Sequence, residues 1–86
     1  MSEISRCFGI AIAMFYDDHV SPHFHARYAG HKATIAIATR VVLDGTLPPR
    51  ALGLVTEWAA LHRDELSQNW RRARDQVPLE PIAPLE

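Results

Sequence analysis

The stretch that decides the fold is His23-Phe24-His25-Ala26-Arg27-Tyr28. Phe24, Ala26 and Tyr28 alternate with His23, His25 and Arg27, a period of two that belongs to a half-buried strand. In that reading the first three face a core, while two imidazoles and a guanidinium share the outward side. Gly30-His31 marks the turn that follows. Residues 32–38 repeat the pattern with Ala33, Ile35 and Ile37 inward. Residues 40–43 make a marginal edge strand, and Asp44-Gly45 closes the block. On the other side, residues 8–14 place Phe8, Ile10, Ile12 and Met14 on the core face. Gly9, Ala11 and Ala13 lie opposite, and either let something approach closely or simply lie open. A loop rich in turn formers, residues 17–22, joins the two strands.

Residues 48–76 change period. At 100° per residue, Leu52, Val55, Ala59, His62, Leu66, Trp70 and Ala73 fall on one stripe, and charged residues fall on the opposite arc. Pro48 and Pro49 suit a first helical turn, where a missing N–H costs nothing. The stripe persists throughout, which predicts one helix of about 40 Å, with a kink near residues 62–64 compatible with it. Leu54, Trp58 and Leu61 add a second apolar flank. The tail, residues 77–86, carries Pro78, Pro81 and Pro84 in step with Leu79, Ile82 and Leu85, as a three-residue polyproline turn would. The flank either packs under the chain's own tail or loop, or joins the tail in a partner-binding surface with Trp58 as its anchor. The tail's docking site is either its own helix or a neighbouring chain.

The sequence has 86 residues, 9 basic and 10 acidic, for a net charge of −1. That length holds one domain, residues 1–86. The charge balance argues against a free-standing electrostatic binder of nucleic acid or membrane. One cysteine, Cys7, forbids an internal disulfide and fits a reducing compartment. The absence of a long apolar run and of a leader pattern at the start gives a cytoplasmic expectation.

Four of the five histidines lie between residues 19 and 31. On an extended strand His23 and His25 project to one side, about 7 Å apart. Three uses fit that spacing. Two imidazoles, with His19, Asp17 or Asp18 added from the loop, make a zinc-like transition-metal site. The same pair could act as acid and base, with Arg27 (and Lys32, if its strand is adjacent) holding a phosphate. Or the rings are structural, bonded to loop backbone and to the Asp17 and Asp18 carboxylates. No nucleophile elbow or phosphate loop accompanies them. His62, on the helix stripe, reads as a core histidine. Arg71, Arg72 and Arg74 either complement the negative end of a helix or contact a phosphate or nucleic acid.

The chain resembles a group of small bacterial proteins known as domain of unknown function number forty-one-sixty. The residues that carry the likeness are Ile4-Ser5-Arg6-Cys7-Phe8-Gly9-Ile10, Asp18-His19, and Pro22-His23-Phe24-His25-Ala26. Further along they are Leu47-Pro48-Pro49-Arg50-Ala51-Leu52, Glu57-Trp58, Leu61-His62, Leu66 and Asn69-Trp70. Ser21 stands where such proteins usually carry a first proline, and Thr39-Arg40 lacks the glycine often found in that turn. The resemblance implies a cytosolic protein paired with a second small domain in a toxin–antitoxin-like arrangement, with the toxin half as one assignment. It names no catalytic residue.

These readings predict an α+β domain, a three- or four-stranded, mainly antiparallel sheet on one long C-terminal helix with an extended Pro-rich tail. The leading function is a protein-interaction module of a toxin–antitoxin-like complex, bound to a small antitoxin-like partner, to a second copy, or to both. Nucleic acid enters only jointly with that partner, no membrane is involved, and no cofactor beyond a zinc-like metal is expected. The alternatives are a small enzyme acting on RNA, with His23, His25 and Arg27 as its catalytic set, and a metal-binding module.

Overall fold

The computed structural model describes residues 2–16 and 21–85. Five strands, β1 (Ser2–Cys7), β2 (Ile10–Met14), β3 (His23–Tyr28), β4 (His31–Ala36) and β5 (Val42–Gly45), precede α1 (Pro49–Leu61) and α2 (Arg63–Arg74). The strands pair in sequence order, each antiparallel to the next. The α+β class therefore holds, with five strands in place of three or four and two helices in place of one.

The additional strand comes from a turn at Phe8-Gly9. Cys7 pairs with Ile10 across it, and Phe8 and Gly9 both have positive φ, 52° and 77°. Tyr28 pairs with His31 in the same way across Ala29 and Gly30, at 47° and 84°. These are type I′ hairpin turns, whose twist matches that of the strands they join. Phe8 is in phase with Ile10 by alternation alone, yet it sits at a turn tip and is 56% exposed rather than in the core. Gly45 has a similar constraint at the far edge. Its φ is +76°, and a Cβ there would stand 2.1 Å from the Lys32 carbonyl oxygen.

The helix breaks at His62, which leaves helical geometry at φ −118° and ψ 30°. Its ring nitrogen Nδ1 lies 2.5 Å from Glu65 Oε1, and Asp64 and Glu65 occupy the first turn of α2. Two carboxylates at that point favour a new helix N-terminus. Arg71, Arg72 and Arg74 fill its last turn, as the dipole favours. His62 is half-buried beside Trp58, at a ring separation of 5.5 Å.

One apolar cluster joins sheet and helices. Ile10, Ile12, Met14, Phe24, Ala26, Ala33 and Ile35 meet Val55, Trp58, Ala59, Leu66 and Trp70. The tail then folds back over the helices. Ile82 is buried, and its N–H donates to the Ile4 carbonyl at 2.8 Å. Asn69, 1% exposed, donates to the Glu80 carbonyl at 2.9 Å and accepts from the Glu80 N–H at 2.8 Å. The Trp58 indole N–H donates to the Ala83 carbonyl at 2.8 Å. Arg72 reaches the same segment through Glu80, at 3.4 Å. No helix among the described residues is long and apolar enough to cross a membrane.

Candidate functional site

The meander lays side chains across the sheet in rows, because each register pair continues into the next strand. On the side opposite Phe24 and Ala26, one row runs Glu3, Ala13, His25, Thr34, Asp44 over all five strands. The adjacent row runs Arg6, Ala11, Arg27, Lys32 over the first four. Two rows on one face lie about 7 Å apart along the strands. The alanines form a low floor between taller neighbours, making a groove of about 350 Å³ that Phe15 and His25 wall. It continues past Arg27 into a more open hollow edged by Arg6, His31 and Lys32.

His25 is held on both sides. Its Nδ1 lies 3.3 Å from the Thr34 hydroxyl, and the Phe15 ring meets it edge-on at a centroid distance of 4.3 Å. Arg27 and Lys32 are exposed beside it. On β1, Arg6 donates from both Nε and Nη2 to the Glu3 carboxylate, at 3.1 and 2.8 Å. Those hydrogen bonds, with Arg6 and Arg27 charge behind them, hold the Glu3 carboxyl below the ordinary carboxylate range. The same pair raises Arg6.

The expected residues separate into two groups. His23 and His25 do meet on one side, their rings 5.1 Å apart. His23 is not part of an open surface, however. Trp70 packs on it at 5.1 Å, its Nδ1 lies 2.7 Å from the Ser21 carbonyl, and it is 3% exposed. Its outward placement is corrected by the helix that wraps that end of the strand. His25, Arg27 and Lys32 remain on the groove. His19, with Asp17 and Asp18, lies outside the described residues. Among those described, no three His, Cys, Asp or Glu side chains converge as a metal cage.

The anticipated partner flank is rearranged by the tail. Trp58 is 0% exposed, enclosed by Phe24, His62 and the tail backbone. Ile82 is in the core, and Leu54, Leu79 and Leu85 pack partly buried against it. Of that set only Leu61, 68% exposed, stands clear on the surface. The flank thus serves the chain's own fold, and Trp58 cannot anchor a partner while the tail is docked. Sequence reading missed Phe15, Thr34, Glu3 and Asp44 as groove residues. Each is ordinary in sequence, and only the five-strand register brings them beside His25.

A small antiparallel sheet, covered by helices on one side and carrying a groove lined by basic and aromatic residues on the other, defines a compact α+β class of domain. Within that class, residues 9–71 match the family described as domain of unknown function (DUF4160), and the chain belongs to it. The match takes in β2 to β5, α1 and most of α2. No curated protein and no solved structure matches the chain.

Proposed function

We propose that this protein is a module of a two-protein complex of the toxin–antitoxin-like kind, and that the open face of its sheet is the effector surface. The observation that supports this most is the contrast in coverage. The helical side is closed by the chain's own tail, whereas the other side of the sheet keeps a groove of about 350 Å³ lined by Phe15, His25 and Arg27. A small domain that leaves cations, an aromatic and an imidazole around a concave floor of alanines has prepared a binding surface there. The partner restrains the effector by covering that face, with Leu61 and Val77 as large apolar residues exposed on the helical side among the described residues.

The reading is tested by expressing the chain alone and with its genomic neighbour. Growth should stop in the first case and resume in the second. Arg27→Ala should relieve the arrest with the circular-dichroism spectrum and melting curve as in the parent, and His25→Ala should relieve it with the circular-dichroism spectrum of a folded chain. Arrest that neither substitution relieves would remove the open face from the mechanism.

The second reading, a small enzyme acting on RNA, is supported by His25 and Arg27 standing in one groove with Lys32. It takes a different form from a paired-histidine mechanism, because His23 is enclosed by Trp70. His25, half-buried on the groove, would be the imidazole of the pair that moves a proton.

A further inference from the structure

The two rows on the open face differ in chemistry, and that difference has a direction. The row through His25 carries carboxylates at its ends, Glu3 and Asp44, with the Thr34 hydroxyl and the Phe15 ring alongside. The row through Arg27 carries only cations, Arg6 and Lys32 being the others, on the Ala11 floor. We infer that the groove binds a nucleoside phosphate unit, with the phosphate on Arg27 and Lys32 and the base against Phe15 and His25. The inference names the ligand of the effector surface proposed above, and so rests on that reading.

Each part of the ligand has a matching group. A guanidinium and an ammonium side by side supply donors and charge to a phosphate. An aromatic ring and an imidazole held in place by Thr34 supply a face for a base, which tolerates any base identity. Carboxylates beside that face accept from amino and sugar hydroxyl groups, and would repel a phosphate placed there. The spacing of the rows, two residues along β3, corresponds to the reach from a base to its phosphate. The alanine floor gives the unit room, where larger residues at positions 11 and 13 would fill it. A chain of net charge −1 does not hold long polyanions by field alone. A site for one or two phosphates is what three local cations, one of them engaged by Glu3, can provide.

The test is a nuclear magnetic resonance titration of the full chain at low salt with the four ribonucleoside 5′-monophosphates. The matching nucleosides, inorganic phosphate, and short single-stranded RNA and DNA are run in parallel. Saturable shifts at Ala11, His25, Arg27 and Lys32 in the submillimolar range, at least tenfold tighter for nucleotides than for either nucleosides or phosphate, are expected. Arg27→Gln with Lys32→Gln should weaken nucleotide binding by about tenfold or more. Phe15→Leu should erase the advantage of nucleotide over inorganic phosphate. Tighter binding of the oligonucleotides assigns the unit to a strand, and RNA against DNA shows which; equal affinity assigns a free nucleotide. Absence of shifts on the open face at millimolar ligand, or phosphate binding as well as any nucleotide, would overturn the inference. If binding fails while growth arrest still depends on Arg27, the effector surface stands and the nucleotide inference falls. If nucleotides bind and no arrest occurs, the effector reading falls alone.

Discussion

Neighbouring residues of one strand meet two different worlds in this molecule. Phe24 and Ala26 point from β3 into the helices and are 0% exposed; His25 and Arg27 point the other way and line a groove of about 350 Å³. The covered side is specified by volume, since Trp58, Val55 and Leu66 must fill what Phe24, Ile12 and Ile35 leave. The open side is specified by register, since its residues matter only through the neighbours that strand pairing gives them. The first kind of constraint supplies stability, and the second arranges chemistry at little cost to stability.

Two substitutions break the comparison most sharply. Trp58→Ala removes the largest fully buried side chain and the donor that holds the tail at Ala83. The cost should be about 3–5 kcal/mol, most of the stability of a domain this small. Arg27→Ala, on the open side of the strand whose Phe24 packs on Trp58, should change stability by no more than about 0.5 kcal/mol. Urea denaturation of the two variants checks both, and a large loss in Arg27→Ala would show that the open face also holds the fold together.

The covered side has a second layer, the tail, whose attachment is polar. Asn69 makes both of its hydrogen bonds to the Glu80 backbone from a site that is 1% exposed. Asn69→Ala leaves the Glu80 N–H and carbonyl without those partners and should cost about 1–3 kcal/mol. Hydrogen exchange at Glu80 and Ile82 should accelerate more than exchange in β2 or β3. Uniform acceleration throughout would mean that tail and sheet open as one unit, and the layered description would be wrong.

How much of this was legible follows the same division. Alternation in residues 23–28 and 32–37 located β3, β4 and their inward residues, because a half-buried strand records its burial in period two. The helical stripe found Val55, Ala59, Leu66 and Trp70 for the corresponding reason. Alternation failed at Phe8, where a turn residue falls by chance in phase with Ile10; Gly9, capable of positive φ, was the available signal. The stripe also passed through His62 without a break. Asp64-Glu65 marked a fresh N-terminus there, but an apolar stripe reports which side is buried and not whether hydrogen bonding is continuous. His25 and Arg27 were legible as a pair. Their companions Glu3, Thr34, Asp44 and Phe15 were not, because no local pattern states which residues stand side by side across five strands. Trp58 and Ile82 were legible as apolar and in need of a cover. That the chain's own tail closes over the helices is a tertiary fact, fixed by the Asn69 and Trp58 bonds to the tail.

The smallest expected effect lies at the rim of the open face and sharpens the contrast from the electrostatic side. Glu3 and Arg6 both project from β1 and are exposed, joined by two hydrogen bonds. The Glu3 pKa is lowered in the fold, chiefly by its hydrogen bonds to Arg6. A carboxyl with a depressed native pKa contributes stability above its unfolded pKa, and that contribution is lost as pH falls through the native value. The window is therefore acidic, at and below the ordinary carboxylate range, and stability near neutral pH is unaffected by titration of this group. In solution the pair is exposed to screening, so added salt should shrink the effect. Following the Glu3 carboxyl by nuclear magnetic resonance, Arg6→Gln should raise its midpoint toward the ordinary value, and Arg27→Gln should raise it by less, since Arg27 acts only through charge. An equal or larger shift from Arg27→Gln would mean that the Arg27 guanidinium, rather than Arg6, closes on Glu3 in solution. The two rows would then be cross-linked at Arg27, and the polarity across the groove would have to be redrawn.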